Sequence, residues 1–173
     1  MTPSIILKEI LRLIHIVGAM YWFGSVLMMY YFVTPSVAAT GDAGQQFMKY
    51  LGGRSGLSNS ILVAALGSAL AGAWLYWIDS NGFQSSTWMT SSSGAVFGLG
   101  GVFGAIALVL GIIVNRTIAA IGRLGAQIQG KPTSEQMALM QSLQGRNAMA
   151  MKFTAYSLII AGICMAGARF LVY

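Results

Sequence analysis

The sequence predicts an all-α integral membrane protein: a bundle of four transmembrane helices with a cytoplasmic helical hairpin between the third and fourth. Three observations carry that prediction. Of 173 residues 56% are hydrophobic and only 8% are charged, where a soluble domain carries roughly 25% charged residues. Four separate stretches stay apolar for the roughly 20 residues that a helix needs to cross a hydrocarbon core of about 30 Å. Several of the 22 glycines recur at four-residue spacing inside those stretches, the spacing that lets helices in lipid approach closely.

The spans are Leu13–Val33, Ser60–Ile78, Gly94–Asn115 and Phe153–Val172, within one domain covering residues 1–173. The first is too long and too aromatic for a signal peptide, and no small-residue cleavage site follows it. Thr34-Pro35 is expected to end it, leaving the N-terminus in place and Thr34–Asn59 as a connecting segment. The second connection, Asp79–Ser93, is short and uncharged after Asp79, and Asn81-Gly82 marks it as a simple turn.

The third connection, Arg116–Lys152, is long, but Ile118, Ile121, Gly125 and Ile128 recur at helical spacing. The third helix is therefore expected to run on to about Gly130, where Gly130-Lys131-Pro132 stops it. Thr133 with Gln136 forms a capping-box pattern that starts the next helix, and Met137, Met140 and Leu143 give that helix an apolar stripe. The expected hairpin projects roughly 25 Å from the membrane, about 16 residues at 1.5 Å each.

Charge sets the expected orientation. The net charge is +6, but the basic residues are scattered, which argues against nucleic acid as a partner. Lys49, Arg54, Arg116, Arg123, Lys131, Arg146 and Lys152 fall on one side of a four-span topology, and Lys8, Arg12 and Arg169 on the other. Cytoplasmic loops hold the excess of Lys and Arg, so both termini are expected outside the cytoplasm. For packing, Gly94, Gly98, Gly100 and Gly104 line the third span, Ala65, Ala69 and Ala73 the second, and Gly162 and Ala166 the fourth.

Several chemistries are excluded by what is missing. The chain has no phosphate-cradling glycine loop ending in Lys-Ser/Thr, no Cys-x-x-Cys and no G-x-S-x-G, and its four acids are far apart in sequence. No hydrolase or ATPase is expected. The single Cys164 permits no internal disulfide.

What remains is one polar cluster. Ionisable groups in lipid are functional candidates because burying them is costly; here they are His15, Arg169 and, at span edges, Arg12 and Asp79. An antiparallel bundle brings all four to similar depth, with Arg12, His15, Ala19 and Trp22 on one stripe and Trp74 and Trp77 close to Asp79. In the functional reading His15 is a metal or haem ligand or a proton-handling group, and Asp79 pairs with Arg12 or Arg169. In the structural reading the arginines snorkel, the aromatics form an interfacial belt and His15 hydrogen-bonds within the bundle.

Haem would need His15 plus a methionine, a second protomer, or five-coordinate iron, since the chain has one histidine. Copper(I) suits thioether ligands, and eleven methionines are present. No M-x-x-M or M-x-M pair adjoins His15, so core filling accounts for the methionines more simply.

The stretch Leu13-Ile14-His15-Ile16-Val17-Gly18-Ala19-Met20-Tyr21-Trp22-Phe23-Gly24, followed by Thr34-Pro35, resembles the first helix of the copper resistance protein D-like superfamily. Gly145-Arg146 and Cys164-Met165-Ala166-Gly167-Ala168-Arg169-Phe170 are similar to the close of that superfamily's small four-helix members, which end on an Arg-aromatic pair. The resemblance implies a bacterial inner-membrane protein that handles copper or haem or serves a respiratory complex, with His15 as metal or haem ligand and Arg169 as its neighbour. A similar first-helix pattern in the bacterial membrane-bound protoporphyrinogen oxidases implies haem binding at the same position and leaves an oxidoreductase open. A reading of a different class is a structural subunit without covalent chemistry, docking by its glycine faces and hairpin into a homo-oligomer or larger membrane assembly.

Overall fold

A computed structural model describes residues 3–54, 56–128 and 130–171 of the chain. The described elements are all helical, and four helices are long and apolar enough to cross a membrane, the build of an integral membrane protein.

The first helix departs from expectation at its end. α1 (Pro3–Met28), a π-helical turn (Met29–Val33) and α2 (Thr34–Thr40) run on without a break, because Met28, Val33 and Thr34 all keep right-handed helical angles. Thr34-Pro35 therefore does not end the span. A proline ring inside an α-helix clashes with the carbonyl four residues back and has no N–H to donate. The π turn ahead of Pro35 widens the register, with the Thr34 N–H bonded five residues back to the Met29 carbonyl, and so accommodates the ring.

The rod stops instead at Gly41, whose φ of +57° is open to glycine at little cost. α3 (Asp42–Lys49) begins there, with Asp42 in its first turn and Lys49 in its last, both favourable to the helix dipole. A second π-helical segment, Tyr50–Arg54, follows. The connecting segment expected at Thr34–Asn59 is thus mostly helical.

α4 (Leu57–Asp79) returns across the bundle. The connection after it is more built than a simple turn. Asn81, Gly82 and Phe83 all take positive φ, and a short helix α5 (Ser86–Met89) follows, its Ser85 side chain accepting from the Trp88 N–H. Buried Ser80 holds the bend by accepting the Phe83 N–H at 3.1 Å, and the Phe83 ring sits edge-on to Trp77.

α6 (Ser92–Gln127) and α7 (Ser134–Ala168) are 36 and 35 residues long, each about 50 Å at 1.5 Å per residue and so longer than a bilayer core requires. The Thr133–Gln136 capping box is present, with both reciprocal hydrogen bonds made. α7 ends at Ala168, short of the expected Val172, which lies outside the described residues.

α6 packs most extensively on α7 and α1 on α4, while α4 against α6 and α1 against α7 close the ring. Consecutive long helices are thus neighbours, running up and down in turn. The core layer takes one buried residue from each: Trp22, Ala65, Ala107 and Leu158. Trp22, at 5% exposure, is a core residue and not part of an interfacial belt. Trp74 and Trp77, both more than half exposed, fit that belt.

Candidate functional site

The register of α1 on α4 places the polar residues. Lys8 closes an ion pair with Asp79 at one end of the seam. Seven residues further along α1, and seven back along α4, His15 lies over Gly72, where a Cβ atom would fall 2.6 Å from the imidazole Cε1. One turn deeper, a Cβ at Gly18 would lie 3.1 Å from the Ala64 carbonyl oxygen and 3.2 Å from the Ser68 Cβ, and Tyr21 then meets the Ser60 hydroxyl at 2.8 Å. Glycines at 18 and 72 let the two backbones approach closely enough for the imidazole to fit between them.

His15 is half-buried and held at two points. Its Nδ1 lies 2.8 Å from the Ser68 backbone carbonyl, and the Ser68 hydroxyl donates back to the His15 carbonyl at 2.9 Å. A carbonyl only accepts, so Nδ1 carries the proton, and in the neutral ring Nε2 is the nitrogen with the lone pair. That tautomer and that fixed ring are what a ligating histidine requires. They also form an interhelical clamp in their own right.

The other members of the expected cluster do not converge on His15. Asp79 pairs with Lys8, not with Arg12 or Arg169; Arg12 turns to Glu9, three residues earlier, at 2.8 Å. The reason is register: Lys8 and Asp79 lie opposite each other at the bundle end, whereas Arg12 is one turn deeper and Glu9 is its nearest carboxylate along the helix. Arg169 is exposed at the C-cap of α7 and stacks on Phe170 at 5.9 Å. Among the described residues no hydrogen bond or ion pair joins it to His15.

The four glycines of the third span have different surroundings. Gly100 is buried, and a Cβ there would meet the Cys164 Cβ at 3.0 Å and the Met165 Cε at 3.1 Å. Gly98 lies against the Tyr76 hydroxyl at 3.0 Å, and Gly94 against its own N-terminal turn at Trp88 and Ser91. Gly104 has nothing within 4 Å.

A bare-metal centre would need more donors than these. Among the described residues no group of three His, Cys, Asp or Glu side chains comes together. A haem makes a smaller demand, because the porphyrin brings four nitrogens and asks the protein for one or two axial ligands. Of that donor set the described residues here supply one imidazole, His15.

Sequence reasoning missed Ser68, Gly72 and Lys8. Ser68 was the legible one, a hydroxyl in the middle of an apolar span that must find a partner. Comparison with known protein families, with characterised proteins and with solved structures found no match.

Proposed function

We propose that the chain is a small membrane haem protein of the copper resistance protein D-like type, in which His15 Nε2 would hold the iron. The observation that carries the reading is the hydrogen bond from Nδ1 to the Ser68 carbonyl, which makes Nε2 the ligating nitrogen of the neutral ring and fixes that ring against Gly72. Haem is favoured over copper because one fixed imidazole suffices for it, while copper needs further protein donors. The resemblance assigns Arg169 as the basic neighbour of His15, and among the described residues no carboxylate pairs with Arg169. Bound haem would supply electron transfer or ligand binding; the Ser68 carbonyl and the close approach at Gly72 orient the His15 ring.

In this reading the protein sits in a bacterial inner membrane with both termini outside. The ends of α6 and α7 project into the cytoplasm as a docking hairpin. The excess of Lys and Arg in residues 34–59 and 116–152 supports that sidedness.

The test is a visible spectrum of protein purified from haem-replete cells. A Soret band that disappears in His15→Ala and survives in Arg169→Gln with weaker retention is the expected result. Wild-type protein with no Soret band after haem reconstitution overturns the assignment.

A second reading, a structural subunit in a larger assembly, is favoured by two observations. Only 6% of the apolar window of the first helix is buried inside the chain, and Gly104 faces open space. It predicts partners that co-purify with wild-type protein and are lost from Gly104→Leu. A stable, partner-free monomer counts against it.

A further inference from the structure

Beneath the Trp22–Ala65–Ala107–Leu158 layer, on the side away from His15 and Asp79, the helices part around a cavity of about 110 Å³. Both described π-helical segments reach it, the first through Met29 and the second through Leu51 and Gly52. Such segments gather at functional sites, and here two of them converge on one space.

Among its described walls the polar side chains are Ser58, Asn115 and Thr154. The Thr154 hydroxyl is engaged, donating to the Ala150 carbonyl at 2.8 Å. The Asn115 amide nitrogen is engaged as well, donating to the Ser58 hydroxyl oxygen at 2.9 Å and to Asn59 Oδ1 at 3.4 Å. A hydroxyl carries one proton and an amide oxygen accepts, so the pair still offers one donor, the Ser58 O–H, and one acceptor, Asn115 Oδ1. Neither makes a hydrogen bond among the described residues.

The rest of the wall suits a flat ring. Trp22 comes from the core layer at one end, and Met29, Met48 and Met151 line the sides. Aromatic rings pack on one another, and thioether sulfurs make favourable contacts with ring edges. Ser58 is seven residues along α4 from Ala65, about 10 Å, so the polar pair lies at the end opposite Trp22. Volume sets the limit: a dry cavity of about 150 Å³ takes one benzene ring, so this one takes a single ring and no fused or long-chain ligand. The walls at Met29, Met48, Leu51 and Leu57 are only half-buried, which gives such a ligand a way in.

We propose that the cavity is a binding site for one small neutral phenol. Its ring packs against Trp22 and the methionines, and its hydroxyl accepts from the Ser58 O–H and donates to Asn115 Oδ1. A phenolic hydroxyl meets both needs at once, whereas a carbonyl meets only the first and a hydrocarbon neither. The site is separate from His15 and stands whether or not haem binds there.

The test is fluorine NMR of the full chain in lipid nanodiscs, with 4-fluorophenol and fluorobenzene as probes and empty nanodiscs as the control for partitioning. At about pH 7 a phenol, which ionises near pH 10, is neutral. After that correction 4-fluorophenol is expected to saturate one site per chain and to bind about tenfold more tightly than fluorobenzene. Ser58→Ala should bring the two probes to within about threefold of each other. Gly111→Leu adds a side chain to the cavity wall where a Cβ meets nothing within 4 Å, and should abolish saturable binding of both. Equal affinity for the two probes in wild type overturns the phenol assignment. No saturable binding, or saturable binding unchanged in Gly111→Leu, overturns the site. Should Gly111→Leu not fold, wild type with isotope-labelled methionine methyl groups serves instead. Magnetisation transfer from bound 4-fluorophenol to the Met29 and Met151 methyls supports the site, and transfer to neither overturns it.

Discussion

Along the α1–α4 seam polar groups meet at three levels, Lys8 with Asp79, His15 with Ser68 and Tyr21 with Ser60. Along the α6–α7 seam the contacts are made by small residues: Gly100 against Cys164, with Ala107, Ala150, Ala155 and Ala161 all buried. The described polar side chain inside that second seam with an unmet need is Asn147, whose buried Oδ1 has no partner. Burial of the apolar windows is highest for α7 at 33% and lowest for the first helix at 6%, with α4 at 17% and α6 at 11%. Lipid tails are as apolar as leucine, so helices in a bilayer associate by close van der Waals contact or by hydrogen bonds. Here one bundle uses both, and they should fail differently.

The largest effect is expected where contact alone holds the seam. Gly100→Leu must push α6 off α7 and should cost about 3 kcal/mol, the upper end of overpacking penalties, read as a lower detergent-unfolding midpoint by circular dichroism. Gly104→Leu, with open space around it, should change the same midpoint by under about 0.5 kcal/mol. Equal losses from the two would mean that the glycines act through helix flexibility and not through contact.

On the polar seam Gly72→Ala should cost about 2 kcal/mol, because its methyl group lands on the imidazole and the ring must leave the Ser68 carbonyl. Ser68→Ala, which removes only the returning hydroxyl, should cost about 0.6 kcal/mol, the average for interhelical hydrogen bonds in membranes. If both variants unfold at the wild-type midpoint, the clamp contributes nothing to helix association.

Asn147→Leu should move the other way, stabilising by about 1 kcal/mol, because it removes a buried acceptor with no donor. Loss of stability on that substitution would show that the acceptor is engaged by a partner in the assembled membrane. A small change is also expected from Asp79→Asn. The Lys8–Asp79 side chains are 31% and 33% exposed, so the pair should be worth under about 1 kcal/mol and weaken further in high salt.

Much of the fold was legible in the chain. Each span is a local property, a run of apolar residues long enough to cross, and the Thr133–Gln136 cap is written within four residues. Pro35 was misleading because proline forbids one helical register and the chain answered with another, the π turn at Met29–Val33. Less of the site was legible. His15 was found because a lone imidazole in lipid is conspicuous, but its partner Ser68 is 53 residues away, and nothing local announces which residue of α4 will face it. Trp22 looked interfacial by composition; only its three neighbours in the core layer show it to be buried.

The sequence by itself determined the class of protein, the number of spans and the positions of most helix ends, because hydropathy, capping and glycine act over a few residues. Tertiary structure decided that Asp79 meets Lys8, that His15 leans on Ser68 and Gly72, and that a cavity lies beneath Trp22. Those outcomes depend on how far one helix slides and turns against another, and a shift of one turn, about 5.4 Å, would change every pair while leaving each helix intact.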